Sequence, residues 1–346
     1  MVTPILNNED ILVDILRTTP GIERNRISYI CPPVFIRRNT FLTLIWKVLS
    51  SLSLALKANF SCVYAVHAFP HLYLGSLVSF ISRKPLIYMV IASRWEFGGH
   101  GYVIGKLTTG LARRASRLIA KPVDRMYDFL NQKGIPPKKI IKYQSLDLVD
   151  LKHYFPMDLE KSIHLVVLSR FTADKHIDVF VNIVGRLKES RPDIKAGIIG
   201  KGDLRESLEA YVENKGLADN IRFYGYVPSI VDVNRILNSA EIFVLNSAHE
   251  GGPFSIMEAM AAGLCCVSSR VGEVPNVITN NVNGFIIDQH DDEEAYVNTI
   301  DNLLNNYKLL REIQQRAALI KTKQKTSNLT RFWRALILHL QKARDS

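Results

Sequence analysis

The sequence predicts an α/β chain built from two Rossmann-like domains. Three observations lead there. From residue 163 onward, short apolar runs alternate with segments of helical spacing, the pattern of βαβ units and a parallel sheet. The first half repeats that alternation more weakly. At 346 residues, the chain is also too long for one comfortable core and suits two. Open α/β sheets bind ligands outside the carboxyl ends of their strands, so two such domains facing each other would hold a ligand in the cleft between them.

In the first domain, "ISYIC", "CVYAVH", "PLIYMVIA", "RLIA" and "KIIKY" are the expected strands, with helical runs between them. "FLTLIWKVLSSLSLALKANF" reads as a helix with one apolar face, buried in the core or resting on a membrane surface. Lys47 and its serines keep it below the roughly 18 uninterrupted apolar residues of a membrane span. "DLKHYFPMDLEKS" is polar and carries Pro156, so the boundary is placed there. Residues 1–155 form the first domain, 156–325 the second and 326–346 a tail.

The second domain opens with strand "IHLVVLS". Helix "HIDVFVNIVGRLKES" follows, with apolar residues at Ile177, Phe180, Val181, Val184 and Leu187. "AGIIG" is the next strand. "DLRESLEAYVENKG" is a helix with Asp203 as N-cap, Glu206 three residues on and Gly216 as its stop. Strand "IRFYGYV", helix "VDVNRILNSA", strand "EIFVLNS", helix "FSIMEAMAAG", strands "CCVSS" and "GFIID", and helix "DEEAYVNTIDNLLNNY" complete it.

Charge is unevenly spread. Residues 1–155 carry 21 Lys and Arg against 9 Asp and Glu, residues 156–315 carry 15 against 23, and residues 316–346 carry 8 against 1. A basic first half suggests an anionic partner, with a membrane surface or a phosphorylated lipid as candidates; a merely solvated basic face is the plainer reading. No nucleic-acid module is recognisable, so nucleic acid is not an expected partner. Cys31, Cys62, Cys265 and Cys266 show no paired framework and no metal-ligand spacing. They read as reduced core residues of a cytoplasmic protein. "MVTPILNNEDILVDIL" lacks a basic start before its apolar residues, so no signal peptide is expected.

Four features of the second domain converge on a nucleoside diphosphate. In "LSRFTADKH", Arg170 leaves a strand and Lys175 stands at the expected start of a helix. Cations, free N–H groups and the helix dipole all favour an anion there. In "IIGKGD", Gly200 and Gly202 bracket a turn where backbone can approach a ligand closely. In "HEGGPFSIMEAMAAG", Glu250 lies before a Gly251-Gly252-Pro253 turn and Glu258 lies in the helix beyond it. Pro253 suits the first helical position, with Gly252 as its cap. The amides near Phe254 and Ser255 then fall between two carboxylates that can read vicinal hydroxyls. In "SSRVGEVPNVITNNVNGFIID", Gly272 and Pro275 make a rigid turn behind that site. Each feature is common in isolation.

In this order and spacing, the motifs resemble the retaining nucleotide-sugar glycosyltransferases of the GT-B fold, specifically glycosyltransferase family 4. The likeness covers about residues 60–320 and is strongest from 165 to 290. It rests on Arg170 with Lys175, Gly200 with Gly202, Glu250 with Glu258-Ala259, Gly263, and Gly272 with Pro275. The resemblance implies a UDP- or GDP-sugar donor and a sugar or lipid-linked acceptor of unknown identity, as in surface polysaccharide or glycolipid synthesis. It also implies no bound metal or cofactor, in keeping with the lack of an Asp-x-Asp motif. Arg170 and Lys175 would hold the donor diphosphate, and Glu250 would contact the transferred sugar. Main-chain N–H groups from Gly252 to Ser255 would help Glu250; Glu258 would bind the ribose and Tyr226 would lie near the base. Transfer would proceed with retention, the leaving diphosphate assisting the acceptor hydroxyl. The tail "TRFWRALILHLQ" would be a helix crossing back to the first domain. With its reduced cysteines and basic first half, such an enzyme is expected in the cytoplasm, peripheral on the inner face of the membrane.

Two departures fall on the acceptor side. "VTPILNNEDILVDIL" has no glycine where the family carries a Gly-Gly loop. "YMVIASRWEFGGHG" has no histidine at the strand end, with His100 several residues late. These leave open divergence, an incomplete start or lost activity. The alternatives are a non-catalytic sugar-nucleotide binder, a nucleotide-sugar epimerase or a phosphorylase on the same fold.

Overall fold

The structure is a computed structural model and describes residues 13–16, 27–57, 60–90, 97, 101–120, 126–142, 144–147, 149–250 and 252–323. The described residues fall into two compact units, the second beginning at Val149. The expected tail helix in 326–346 lies outside the described residues, as do Gly251 and His100.

In the second unit, six parallel strands make one sheet: β7 (Ile163–Leu168), β8 (Ala196–Ile199), β9 (Ile221–Gly225), β10 (Ala240–Leu245), β11 (Cys265–Ser269) and β12 (Phe285–Ile287). Their order is β12-β11-β10-β7-β8-β9, a doubly wound sheet whose direction of winding reverses between β7 and β10. β8, β10 and β11 are buried along their whole length. That burial explains their near-continuous apolar sequences, since helices cover both faces of such a sheet. Helix Ile177–Ser190 buries Ile177, Phe180, Val181, Val184 and Leu187, as its spacing requires. Helix Glu293–Asn305 starts at Asp292, whose carboxylate accepts from the Ala295 amide at 3.0 Å. Its Tyr296 hydroxyl donates to the Leu245 carbonyl at the end of β10 (3.0 Å).

Two helix starts differ from expectation. Asp203 does not cap helix Arg205–Asn214. Leu204 occupies the N-cap, and no side chain caps it. Helix Phe254–Ala261 begins one residue later than expected, with Pro253 at its N-cap rather than its first position. The Phe254 amide turns back to the Gly252 carbonyl (2.9 Å) instead of pointing outward. Gly216, at φ 66°, does follow helix Arg205–Asn214 in the left-handed conformation expected of a stop.

The segment entering the second unit is bolted to it. Asn238, fully buried, donates to the Phe155 carbonyl (3.0 Å) and accepts from the Met157 amide (2.6 Å). Asn234 also donates to the Phe155 carbonyl (3.3 Å). Leu151 and Tyr154 are buried, and Pro156 packs where a side chain on Gly263 would fall.

In the first unit, β3 (Val63–Val66), β4 (Leu86–Met89), β5 (Arg117–Ala120) and β6 (Ile140–Lys142) form a parallel sheet in sequence order. β1 (Val13–Leu16) and β2 (Ile27–Ile30) pair in parallel as a separate sheet. The core gathers Leu72, Tyr88, Leu118, Leu130 and Ile135. Cys265 and Cys266 are buried, but Cys31 and Cys62 are only half-buried, so two of the four are not core residues; all four are free thiols.

Helix Thr40–Lys57 is not a core helix. It buries Thr43, Ser51 and Ala55 and leaves larger apolar side chains outside. By length and composition it is apolar enough to cross a membrane, despite Lys47. Helix Tyr73–Ser82 packs beside it.

Asn238 sets the first test. Asn238→Ala strands the Met157 amide and leaves the Phe155 carbonyl only its longer bond from Asn234, costing about 1–3 kcal/mol. Urea unfolding should show a lower midpoint at unchanged slope; an unchanged midpoint would mean that these bonds do not hold the segment.

Candidate functional site

The site is built on the two loops that leave β7 and β10, the neighbours where the winding reverses. Ligands of doubly wound sheets bind at such a point. The β7 loop carries Ser169 to His176 and the β10 loop carries Asn246 to Pro253.

Lys175 joins them. Its side chain is 8% exposed, yet it carries an ammonium. A buried cation is tolerated only when paired and fully hydrogen-bonded. Nζ donates to Glu250 Oε1 at 2.8 Å and to the His249 carbonyl at 3.0 Å, and lies 3.2 Å from Asp174 Oδ2. Ser247 Oγ donates to the same Glu250 oxygen at 3.0 Å. The Ala248 amide donates to the Asp174 carbonyl at 3.0 Å, closing the loops on each other. Behind them, Ser269 on β11 donates to the Ser247 carbonyl (2.7 Å), and Asn246 donates to the His176 carbonyl.

Arg170 and Lys175 are therefore in different situations. Arg170 is exposed, whereas Lys175 is buried and matched by two carboxylates. Nor does Lys175 open a helix, as expected from sequence. It ends a 3₁₀ turn, Ala173–Lys175, and His176 in the left-handed conformation (φ 46°) separates that turn from helix Ile177–Ser190. Burial would raise the Asp174 carboxyl, but hydrogen bonds from Thr172 and Lys175 outweigh it and hold the pKa below the usual range. The stability Asp174 contributes is thus present above the ordinary carboxylate pKa. It is lost as pH falls through the lowered value.

Glycines let the loops touch. A Cβ on Gly200 would sit 1.8 Å from the Ser169 carbonyl oxygen, and one on Gly202 2.4 Å from that of Phe171. The close approach expected of this Gly-x-Gly turn is therefore made to the β7 loop that bears Arg170. The Phe171 amide donates to the Lys201 carbonyl (3.0 Å) in the same contact. Gly272, at φ 49°, would place a Cβ 2.1 Å from the Glu250 carbonyl oxygen. It does lie behind the site, as its turn suggested.

Glu258 is half-buried on helix Phe254–Ala261. Burial raises its pKa, and the Tyr154 hydroxyl beside it counters the rise in part. Tyr154 carries no motif; in the sequence only its place before Pro156 marks it. Pro253 is buried, Gly252 and Ser255 are half-buried and Phe254 is exposed. Tyr226 is exposed just past β9, with the Lys201 ammonium 4.1 Å from its ring centre. Lys201 has no mark in the sequence beyond its place between the two glycines.

Two substitutions test the geometry. Gly272→Ala forces Glu250 from its place and should cost about 2 kcal/mol or more of stability, together with loss of nucleotide-induced stabilisation. Retention of both would show that the contact is dispensable. Glu258, whose folded pKa is raised, opposes folding more as pH rises through the carboxylate range. Glu258→Gln should therefore raise Tm by a few degrees at pH 7 while weakening nucleotide binding. A lower Tm would contradict this reading of its burial.

Residues 156–320 match the family model of glycosyl transferases group 1. The chain is 31% identical over 164 residues to the amylovoran biosynthesis glycosyltransferase AmsK of Erwinia amylovora, covering 46% of this chain and 37% of that protein. It is 29% identical over 119 residues to the Vi polysaccharide biosynthesis protein VipC/TviE of Salmonella typhi, covering 34% of this chain and 20% of that protein. The chain thus spans well under half the length of these two relatives. Among solved structures, a glycosyltransferase from Rickettsia africae ESF-5 superposes with a TM-score of 0.73 at 17% identity, covering 99% of this chain and 92% of that one. Anabaena Alr3699/HepE, in complex with UDP and glucose, superposes with a TM-score of 0.71 at 17% identity, covering 97% and 99%. At such identities the likeness speaks for the fold, which is the two-domain GT-B architecture. Over residues 156–320 the chain is therefore similar to the glycosyl transferases group 1, within a GT-B fold.

Proposed function

We propose that this protein is a glycosyltransferase that moves a sugar, with retention, from a UDP-sugar to an acceptor hydroxyl in polysaccharide or glycolipid synthesis. The observation that carries the reading is the Lys175–Glu250 pair at 2.8 Å, at the reversal point of the sheet. The pair places a fixed carboxylate beside a buried cation, where a sugar hydroxyl and a phosphate lie side by side in a sugar nucleotide. The family match supports transfer. UDP in the Anabaena structure favours uridine over guanosine, and the amylovoran and Vi polysaccharide relatives favour a polysaccharide product.

The two cations divide the work. Lys175 is already matched by Glu250 and Asp174, so its spare attraction for a diphosphate is small. Exposed Arg170 supplies the free charge that captures the diphosphate. Lys175 fixes Glu250 against the sugar. In the reaction, the bond between the anomeric carbon and the diphosphate oxygen breaks. The acceptor oxygen bonds to the same face, and its proton passes to the departing diphosphate. Arg170 and the N-terminus of helix Phe254–Ala261 stabilise the charge that develops there. The stretch "YMVIASRWEFGGHG", with no histidine at its strand end, favours a second reading, donor binding without transfer.

The test is thermal stabilisation by UDP, GDP and ADP on the wild type and on Arg170→Ala. A ligand that binds only the native state raises Tm by mass action, about 2.7 kcal/mol at a hundredfold excess over Kd. UDP should stabilise the wild type and lose most of its effect in Arg170→Ala. Stabilisation by none of the three would overturn the donor site. UDP binding without sugar transfer to any lipid-linked or polysaccharide acceptor would favour the second reading.

A further inference from the structure

Helix Thr40–Lys57 has its amphipathicity turned inside out. Its buried residues are small or polar: Thr43, Ser51 and Ala55. Phe41, Ile45, Leu49 and Leu56 instead face outward, Phe41 at 69%, Leu49 at 60% and Leu56 at 78% exposure. At 3.6 residues per turn these four fall within an arc of about 80°. They form a stripe along the helix, not a scatter. The short helix before it, Val34–Arg37, adds Val34 and Phe35, the latter 82% exposed. Helix Tyr73–Ser82, packed alongside, exposes Phe80 as well. Single exposed apolar residues are ordinary, but an apolar stripe on neighbouring helices marks a surface that is meant to be covered.

The charge around the stripe indicates what covers it. Residues 34–57 and 73–84, the elements that bear the stripe, carry Arg37, Arg38, Lys47, Lys57, Arg83 and Lys84 and no acidic residue. Arg38 and Lys57 flank the two ends of the stripe and are exposed, and Arg83 is exposed at the end of the neighbouring helix. A protein partner of mixed charge would need no such one-sided surround. Large apolar side chains bordered by unopposed cations match an anionic lipid surface, with the side chains among the acyl chains and the cations among the headgroups. The helix lies in the plane of that surface and does not span it, because its other face is packed on protein and Lys47 stands near its middle.

We propose that helices Val34–Arg37 and Thr40–Lys57 dock the protein on an anionic bilayer. The proposal deepens the reading of a glycosyltransferase in glycolipid or polysaccharide synthesis, by giving it the surface on which a lipid-linked acceptor resides. Docking itself requires no donor chemistry.

The experiment is co-sedimentation of the full chain with phosphatidylcholine vesicles, with and without about one-third phosphatidylserine. Two variants are compared with the wild type: Phe41→Ser with Leu49→Ser and Leu56→Ser, and Arg38→Glu with Lys57→Glu. Tm and UDP-induced stabilisation are recorded for each, so that failure of the donor site is read separately. The wild type should bind the phosphatidylserine vesicles and release as salt rises. Each variant should lose about tenfold or more in partitioning at unchanged Tm and UDP response. Absent wild-type binding, equal binding to pure phosphatidylcholine, or full binding by the serine variant would each overturn the proposal. So would a clear fall in Tm of the serine variant, since the stripe would then be packed within the protein. A wild-type dimer that dissociates in the serine variant would assign the stripe to a second copy of the chain instead.

Discussion

A buried ammonium needs counter-charge, and Lys175 obtains it from a loop that is 75 residues away in sequence. Without Glu250, the His249 carbonyl and Asp174, the cost of desolvating that cation would run to several kcal/mol. The requirement draws the β7 and β10 loops together at the one place in the sheet where winding reverses. Ser247 and Asp174 then acquire their positions because Lys175 and Glu250 have theirs. A charge of this kind is a poor source of net stability. It is an effective way of holding one geometry, since every alternative leaves a buried charge unpaired.

Backbone contacts sustain the same arrangement from behind. Gly200 and Gly202 let the β8 loop rest directly on Ser169 and Phe171, and Gly272 does the same for Glu250. In each case a methyl group would fall on a carbonyl oxygen. These glycines set loop spacing, which in turn sets where Arg170 and Glu250 point. The helix start at Pro253 adds free dipole on the same side. Its first amide is spent on the Gly252 carbonyl.

Much of this was legible in the residues. The alternation of β-branched runs and 3.6-spaced segments gives the second sheet strand by strand. The spacing of Arg170, Lys175, Glu250 and Glu258 marks the loops that matter. What could not be read is environment. Arg170 and Lys175 look alike as letters, but one is exposed and the other enclosed, because the turn Ala173–Lys175 folds inward before His176 reverses the backbone. Asp203 looked like a cap, yet the chain makes a further turn to Leu204 before the helix starts. Tyr154 meets Glu258 only through tertiary packing of the entering segment. Helix Thr40–Lys57 shows an apolar stripe in sequence, and sequence cannot say whether such a stripe faces in or out.

The central claim is that Lys175 and Glu250 act as one unit at the donor site, the cation holding the carboxylate in place and keeping it from repelling the diphosphate that Arg170 captures. The most direct measurement is the UDP dissociation constant, by calorimetry, of Lys175→Met, Glu250→Gln and the double variant. Lys175→Met alone leaves the Glu250 carboxylate unopposed beside the diphosphate, and should weaken UDP binding about tenfold or more. Adding Glu250→Gln should restore part of that loss, giving a coupling of about 1 kcal/mol or more. Additive effects, within about 0.5 kcal/mol, would show that the two residues meet in the fold but do not act together on the ligand.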